Sequence, residues 1–150
     1  MKRVLMVCLG NICRSPMAHG VFADLVSKRG LAKNIEVDSC GTAAYHAGER
    51  PDRRTMAVLQ KHGIALNHRA RQLQRGDYDQ FDLILCMDQS NLSGAQRLFG
   101  VDGSDAKVRL CLEPTTGEEV PDPYYGGPGG FDHVYDLLDE SLRIWLDRIQ

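Results

Sequence analysis

The chain has 150 residues, of which 43% are hydrophobic and 25% charged, with a formal net charge of −2 at pH 7. This length and composition suffice for one ordinary globular core, so we expect a single domain over residues 1–150. No apolar run approaches the roughly 18 residues of a membrane span, and the N-terminus has no signal-peptide pattern, so we expect no membrane insertion. Five cysteines without framework spacing favour reduced thiols and a cytoplasmic protein without structural disulfides. We also expect a monomer.

The first predicted element is a buried strand over residues 2–8, and a loop connects it to a predicted helix over 16–29 that ends near Gly30. Ser15 followed by Pro16 is typical of a helix N-cap with proline at the first helical position. The loop therefore wraps over a helix N-terminus, where unpaired backbone N–H groups and the positive end of the helix dipole attract anions. The pattern predicts a phosphate-binding loop.

A cysteine and an arginine frame this loop. Cys8 ends the predicted strand, and Arg14 stands six positions later, where its planar guanidinium can bind two oxygens at once. Helix N-termini and nearby guanidinium groups favour the thiolate, which is the nucleophilic form of cysteine. Cys8 is therefore a candidate nucleophile and Arg14 a candidate phosphate ligand. A small buried cysteine beside a structural arginine would show the same spacing, and this alternative stays open at this point.

Farther along the chain, short apolar strands alternate with helices, which favours an α/β fold with a parallel sheet. The predicted strands cover 34–39, 81–87 and 107–111, and the predicted helices cover 52–62 and 90–99. Asp52 is the expected N-cap of the 52–62 helix and Gly63 its stop. Residues 124–130, with four glycines and Pro128, predict a loop.

The C-terminal helix is the clearest periodic element. Its apolar residues share one face, with Trp145 expected in the core, and they are Phe131, Val134, Tyr135, Leu138, Leu142, Trp145, Leu146 and Ile149. Together the elements predict a doubly wound, four-stranded parallel sheet flanked by helices. The loop after Cys8 then lies at the carboxyl end of the first strand, where such sheets bind ligands.

Two distant motifs carry a resemblance to a known family. The loop reads Cys8-Leu9-Gly10-Asn11-Ile12-Cys13-Arg14-Ser15-Pro16, and Asp122-Pro123-Tyr124-Tyr125 stands near the C-terminus. With these motifs in this order the chain resembles the low-molecular-weight protein tyrosine phosphatases, and the similarity extends through residues 37–39, 68–72 and 85–88. The resemblance implies a cofactor-free enzyme that hydrolyses phosphotyrosine in proteins, and small aryl phosphates, through a cysteinyl-phosphate intermediate.

Asp122 is the candidate for proton transfer. Breaking the bond between phosphorus and a tyrosyl oxygen requires a proton on that oxygen, and a carboxylic acid between Pro121 and Pro123 is held on a stiff segment that can deliver it. The resulting carboxylate would then activate water against the cysteinyl phosphate. An Asp-Pro pair is also a common turn, so this assignment depends on the first motif.

Aromatic residues are candidates for the pocket walls. Tyr124 and Tyr125, with Tyr45 from the loop after the second strand, would form a deep slot with the phosphate at its floor. A phosphorylated phenol reaches the floor of such a slot, whereas phosphoserine is too short to reach it and touch the walls. The resemblance favours Tyr124 and Tyr125 at the rim, and Tyr45 is the less specific assignment because that loop differs within the family.

Polar residues are expected to support the loop. Asn11 tolerates left-handed backbone geometry, and Ser15 can donate to the Cys8 sulfur while capping the helix. The family has a supporting serine and histidine that match Ser39 and His68, so we expect His68 to orient the loop rather than to titrate. The remaining histidines are interpreted as surface or helix-face residues, and they are His19, His46, His62 and His133. No spacing is typical of a zinc site, so we expect no metal.

Residues 50–75 carry seven Lys or Arg and one acid. This run is either a solvated face or, if it borders the active site, a surface that steers anionic substrates. It lacks the aromatic residues expected for single-stranded nucleic-acid binding, and the chain has no nucleotide-binding motif, so we expect no nucleic-acid partner.

Cys13 suggests redox regulation. An oxidised Cys8 could be trapped as a disulfide by Cys13, five residues away on the same loop. Packing of Cys13 within the loop is the alternative, because the sequence does not show how close the two residues lie.

Two other functions use the same motifs. Thioredoxin-coupled arsenate reductases share this fold and a similar loop, and Cys86 stands where a relay cysteine could lie, but residues 87–110 contain no further cysteine to complete the relay. A non-catalytic phosphotyrosine-binding module should have lost Cys8, Arg14 or Asp122, and all three are present.

Overall fold

The computed structural model of the protein describes residues 1–127 and 129–150. The strands are β1 (Lys2–Cys8), β2 (Ile35–Gly41), β3 (Leu83–Cys86) and β4 (Val108–Leu110), and the helices are α1 (Arg14–Lys28), α2 (Arg53–Lys61), α3 (Asp77–Gln80), α4 (Gln89–Phe99) and α5 (Gly130–Ile149). All strand pairs are parallel, in the order β2-β1-β3-β4. The predicted α/β class and four-stranded parallel sheet are therefore confirmed. Pro128 of the predicted 124–130 loop lies outside the described residues.

Strand β1 runs through the centre of the sheet and is buried on both faces. Because side chains alternate along a strand, Val4 and Met6 pack on one face while Leu5 and Val7 pack on the other. Helices α1, α2 and α5 cover the Met6 face, and α4 covers the opposite one. Coverage on both faces explains the unbroken apolar run, which is typical of parallel sheets.

Local signals predict the ends of α2 and the buried face of α5 correctly. Asp52 caps α2 by accepting a hydrogen bond from the Arg54 N–H at 2.8 Å. Gly63 follows the helix with φ +73°, a left-handed conformation that glycine adopts without strain. Trp145 is buried, and its indole N–H donates to the Cys111 carbonyl at 2.8 Å.

The predicted cap of α1 is wrong. The helix begins at Arg14, its N-cap residue is Cys13, and no side chain caps it. Ser15 is inside the first turn, where its hydroxyl lies 3.0 Å from the Cys8 sulfur. Pro16 is tolerated there because the N–H groups of a first turn have no partner within the helix.

Two other differences concern boundaries. The four-residue helix α3 was not predicted, and β3 is shorter than the predicted 81–87 strand. Phe81 lies outside β3 because it is the C-cap residue of α3. Its N–H donates to the carbonyl of Asp77, the first residue of that helix. Among the described residues, no helix is long and apolar enough to cross a membrane.

The sheet order determines where loops meet. The chain passes from β1 to β2 on one side and later from β3 to β4 on the other, so the connections that follow β1 and β3 leave the sheet in opposite directions. The crevice above such a reversal point is where open α/β sheets bind ligands. The loop from Cys8 to Arg14 lies there, and Thr42 N–H after β2 donates to the Cys8 carbonyl at 2.9 Å.

Candidate active site

Cys8 lies at the base of the loop with its sulfur surrounded by donors. The residue is 3% exposed. The Asn11 N–H donates to Cys8 Sγ at 3.3 Å, and Ser15 Oγ lies 3.0 Å from the same sulfur. The sulfur therefore lies within hydrogen-bond distance of a backbone N–H and a hydroxyl group.

Asn11 connects the loop to its surroundings. It is fully buried, and it has the only positive φ (+57°) of a non-glycine residue in the described part of the chain. Asparagine is among the few residues that adopt this conformation readily. Its amide nitrogen donates to Ser15 Oγ at 2.8 Å, while its amide oxygen accepts from the Arg71 N–H at 3.1 Å. The Ser15 hydroxyl has two possible acceptors for its proton, the Cys8 sulfur at 3.0 Å and the Cys40 carbonyl at 3.3 Å.

A chain of polar contacts continues from Asn11 to three further side chains. His68 Nε2 lies 2.8 Å from Asn11 Oδ1 and 3.2 Å from Ser39 Oγ. Ser39 Oγ in turn lies 3.0 Å from His19 Nδ1. Burial lowers the pKa of both histidines, and the neighbouring His68 contributes to a His19 pKa of about 4.

The interpretation of His19 as a surface or helix-face residue holds as far as its place on α1, but it missed the part that His19 has in this cluster. It is half-buried in this polar cluster. A sequence signal was available, because His19 follows Ser15 by four positions on α1 and so lies on the same helix face.

Gly41, at the end of β2, allows the loop to lie close to the sheet. A Cβ atom at this position would lie 2.6 Å from the Leu9 carbonyl oxygen and 3.0 Å from the Asn11 nitrogen. Real Cβ atoms do not come this close to backbone, so only glycine fits. Sequence reasoning missed this residue.

The Arg14 guanidinium is fixed from behind. Its side chain is 4% exposed, and Nη1 donates to Asp88 Oδ2 at 2.7 Å and to the Val120 carbonyl at 3.0 Å. Within the described residues its hydrogen bonds involve Nη1 alone, which leaves Nη2 and Nε for two oxygens of an anion. Asp88 was not predicted, although it ends a buried strand and caps α4 through Asn91 N–H at 2.7 Å.

Asp122 faces the loop from the opposite side. Its Oδ2 lies 3.9 Å from Arg14 Nη2, and its Oδ1 accepts a hydrogen bond from the Tyr124 N–H at 3.1 Å. The Asp122 side chain is 46% exposed, so it is in contact with solvent. The carboxylate and the Cys8 thiol line the same pocket.

The pocket has an apolar and aromatic wall. It encloses about 300 Å³ and is lined by Cys8, Leu9, Gly10, Ile12, Cys13, Arg14, Tyr45, His46, Asp122, Tyr124 and Tyr125. The Tyr124 and Tyr125 rings meet edge to face with centroids 4.8 Å apart, and Tyr45 is exposed across from them. His46, expected at the surface, packs beside Gly10 in this wall.

One residue of the basic run reaches the rim of this pocket. Arg54 donates to the Tyr124 carbonyl at 3.1 Å, and its guanidinium lies 5.3 Å from the centre of the Tyr124 ring. Arg50, Arg53, Arg69 and Arg75 are exposed. The run thus borders the pocket at one end and is solvated along the rest.

The other loop cysteine lies in an apolar environment. Cys13 is buried, and burial, followed by the charge of Asp52, raises the pKa of its thiol to about 12. All five cysteines are free thiols. Cys86 is completely buried in β3, where burial raises the pKa of its thiol.

Comparison with known proteins gives one family. The family model described as low molecular weight phosphotyrosine protein phosphatase matches residues 3–150. A fission yeast (Schizosaccharomyces pombe) protein of that name is 51% identical, with 98% of this chain and 96% of the relative covered.

Comparison with solved structures also finds similar proteins. Bacillus subtilis YfkJ has a TM-score of 0.92 at 38% identity, covering 100% of this chain and 95% of the other. DARP, a Drosophila arginine phosphatase, has a TM-score of 0.89 at 34% identity, covering 100% and 98%. The match runs through both motifs and the whole sheet, so this chain belongs to the low molecular weight phosphotyrosine protein phosphatase family.

Proposed function

We propose that this chain is a protein tyrosine phosphatase, with residues 1–150 forming one cofactor-free catalytic domain. A single observation carries the proposal: the Cys8 thiol, the Arg14 guanidinium and the Asp122 carboxylate line one pocket with tyrosines at its rim. Its substrates would be tyrosine-phosphorylated proteins and small aryl phosphates. The names of the matched family and of the fission yeast relative support this substrate class.

In the first step the Cys8 thiolate attacks phosphorus. An S–P bond forms, and the bond between phosphorus and the tyrosyl oxygen breaks. That oxygen takes a proton from the Asp122 carboxylic acid and leaves as tyrosine. Arg14 and the loop N–H groups bind the other phosphoryl oxygens, whose charge must be stabilised throughout.

In the second step water replaces the cysteine. The Asp122 carboxylate takes a proton from the water as its oxygen attacks phosphorus, the S–P bond breaks, and phosphate leaves. The electron pair returns to sulfur, which restores the thiolate. The Ser15 hydroxyl, 3.0 Å from Cys8 Sγ, stabilises the thiolate as a leaving group.

Pocket depth supplies the selectivity for aryl substrates. The Cys8 sulfur is buried, whereas Tyr125 and Tyr45 extend into solvent at the opening. A phosphotyrosine ring spans this depth and contacts aromatic and apolar side chains such as Ile12. Phosphoserine lacks the ring and cannot make both contacts at once.

The alternatives receive less support. An arsenate reductase relay would need an accessible second cysteine, and Cys86 is completely buried. A binding module without catalysis has no need for Asp122 beside the thiol. An arginine phosphatase, as DARP is described, shares the fold. Phosphoarginine would bring its own guanidinium group into the pocket. Among the pocket-lining residues, only the Asp122 carboxylate could pair with it.

The test is a steady-state comparison of phosphotyrosine, phosphoserine, phosphoarginine and arsenate with one protein preparation. We expect kcat/KM for phosphotyrosine to exceed that for phosphoserine by at least about 100-fold, since only the former fills the slot. Higher kcat/KM for phosphoarginine, or thioredoxin-dependent arsenate reduction, would overturn the assignment. The Cys8→Ser protein provides the background rate.

Two further inferences concern the location and the oligomeric state of the enzyme. We infer a cytoplasmic location, which keeps the Cys8 thiol reduced and supplies phosphoprotein substrates. We infer that it works as a monomer, because one chain contributes every group used in the two steps above.

A further inference from the structure

Three metal-ligating side chains meet beside the phosphate-binding loop. His19, Asp38 and His68 come from α1, β2 and the segment after α2, and each offers a ligand atom within 4.8 Å of the others. The two imidazole rings meet edge to face with centroids 5.0 Å apart. All three residues are partly buried, and the Asp38 side chain is the more exposed partner of its pair with His68, at 35% against 8%.

Hydrogen bonds determine which His68 nitrogen carries a proton. Asn11 Oδ1 accepts from the Arg71 N–H, so this atom is the amide oxygen. His68 Nε2 lies 2.8 Å from the same oxygen and must donate to it. With its proton on Nε2, the imidazole ring has its lone pair on Nδ1.

That lone pair faces a second electron-pair donor. Asp38 Oδ1 lies 3.8 Å from His68 Nδ1. The other Asp38 oxygen accepts from Arg71, which also binds Asp77. Two carboxylates and one guanidinium leave this group with an excess negative charge. Asp38 Oδ1 accepts one hydrogen bond, from the Ser39 N–H at 2.8 Å, and a cation between Asp38 and His68 would bind its remaining lone pair and neutralise that charge.

His19 supplies a third donor. In a neutral imidazole one ring nitrogen carries a proton and the other holds a lone pair, so His19 can offer one ligand atom to the cluster. Its Nδ1 lies 3.0 Å from Ser39 Oγ. Histidines that bind metals typically have such an outer hydrogen-bond partner, and His68 has one in Asn11.

We propose that His19, Asp38 and His68 form a binding site for a divalent transition-metal cation, for which Zn²⁺ is the best match. Zn²⁺ binds imidazole nitrogen and carboxylate oxygen at about 2.0–2.2 Å in tetrahedral geometry, which separates ligand atoms by about 3.4 Å. The 3.8 Å between Asp38 Oδ1 and His68 Nδ1 is close to that separation. Mg²⁺ and Ca²⁺ prefer oxygen ligands, so two imidazoles select against them.

A cation at this site would stabilise the phosphate-binding loop. Metal at Nδ1 leaves Nε2–H of His68 to donate to Asn11, and Asn11 donates to Ser15, whose hydroxyl lies beside the Cys8 sulfur. The site is therefore separate from the substrate pocket and connected to it by three polar contacts. No single stretch of sequence reveals it, because its ligands are 19 and 30 positions apart.

The first test is calorimetric titration of chelator-treated protein with Zn²⁺. All proteins carry Cys8→Ser, so that the active-site thiolate cannot bind the metal. We expect one Zn²⁺ per chain, and His19→Gln should weaken binding at least tenfold because one of three ligands is lost. His133→Gln is the matched control, since His133 is exposed on α5, and it should bind as the parent does. Equal affinity in His19→Gln would overturn the proposal.

The second test identifies the ligand atoms with Co²⁺ as the probe. Four-coordinate Co²⁺ at His19, Asp38 and His68 should give intense visible absorption in the parent and not in Asp38→Asn, a variant that keeps the shape of the side chain. A thiolate-to-cobalt charge-transfer band would place the metal on cysteine and overturn the proposal. Thermal melts without metal establish that both variants are folded, and Zn²⁺ should raise Tm only in proteins with all three ligands.

Discussion

At the residue scale, the proposed mechanism requires a nucleophile, an anion ligand and a proton carrier. Each is held by contacts that leave its reactive atoms free. The buried face of the Arg14 guanidinium is bound by Asp88 and Val120, and its Nη2 points toward Asp122. Such fixed donors cost no reorganisation during the reaction, which is why preorganised sites accelerate it.

Cys8→Ser should abolish turnover and retain binding. The serine hydroxyl is a much weaker nucleophile, whereas the loop N–H groups and Arg14 still bind the oxyanion. Vanadate binding measured by calorimetry should persist in this protein. Arg14→Lys should lose both, since a point charge cannot replace the two-pronged guanidinium. Near-normal turnover in either variant would contradict the proposed roles.

Asp122→Ala should slow the bond-breaking step by about 10²–10⁴, the usual contribution of a general acid. The loss should be larger for phosphotyrosine than for p-nitrophenyl phosphate, because a poor leaving group depends more on protonation. Single-turnover kinetics with both substrates measures this step. Asp132→Ala on α5 is a suitable control, and equal losses for the two substrates in Asp122→Ala would exclude Asp122 from this role.

The redox role of Cys13 stays a prediction. Its pKa of about 12 means that the buried thiol is protonated at pH 7, so a disulfide with oxidised Cys8 should form slowly. After peroxide and then a dithiol, the wild type should still recover more activity than Cys13→Ser. Mass spectrometry of the oxidised wild type should find a Cys8–Cys13 crosslink. Equal recovery in both proteins favours loop packing instead.

At the element scale, the close approach of the β2 end to the loop decides the geometry of the site. The loop after Cys8 turns over Gly41, and β2 contributes both this glycine and Ser39 to its support. The edge of the sheet thus acts as a template for the loop. A small change in β2 should therefore affect the site without altering any residue in it.

Gly41→Ala tests this template. The added methyl group would lie 2.6 Å from the Leu9 carbonyl oxygen, and the backbone must shift to accept it. We expect a loss of about 1–3 kcal/mol in the free energy of unfolding, as for other overpacked positions, together with weaker phosphate binding. Gly103→Ala is the control, because a Cβ there meets nothing within 4 Å. Urea titrations of the two variants should differ, and equal stability would contradict the template.

At the scale of the whole molecule, the parallel sheet joins residues from distant parts of the sequence into one polar cluster. His19 and His68 are buried together in their neutral form, so the stability of the entire fold is linked to their protonation. Because burial lowers the pKa of both histidines, the folded state binds protons less readily than the unfolded chain, and acid should destabilise the fold.

Stability should fall as the pH is lowered from about 6.5 toward 4. In this window the unfolded chain takes up a proton at His19, whose folded pKa is about 4, so protons favour the unfolded state. The full shift corresponds to about 3 kcal/mol. Urea titrations at pH 7 and pH 4.5, with chelator present, measure the difference. His19→Gln should flatten this dependence, whereas an unchanged slope in that variant would contradict it.

Patterns of neighbouring residues were enough to predict the local features of the chain. Contiguous residues identify the loop from Cys8 to Arg14, because a strand end, a helix start and a basic side chain within nine positions interact locally. The α/β class, the Asp52 cap and the buried face around Trp145 were likewise predictable, since helix ends and apolar periodicity depend on neighbouring residues.

Contacts between distant segments could not be predicted in this way, because they arise from the folding of the whole chain. Ser15 was predicted as a helix cap from its neighbours, yet it lies inside the first turn of α1, and its buried hydroxyl contacts the Cys8 sulfur and the Cys40 carbonyl instead. Asp88 behind Arg14, Gly41 beneath the loop and His19 beside His68 come from segments far apart in the chain. Their proximity depends on the strand order β2-β1-β3-β4, which no local pattern of residues encodes.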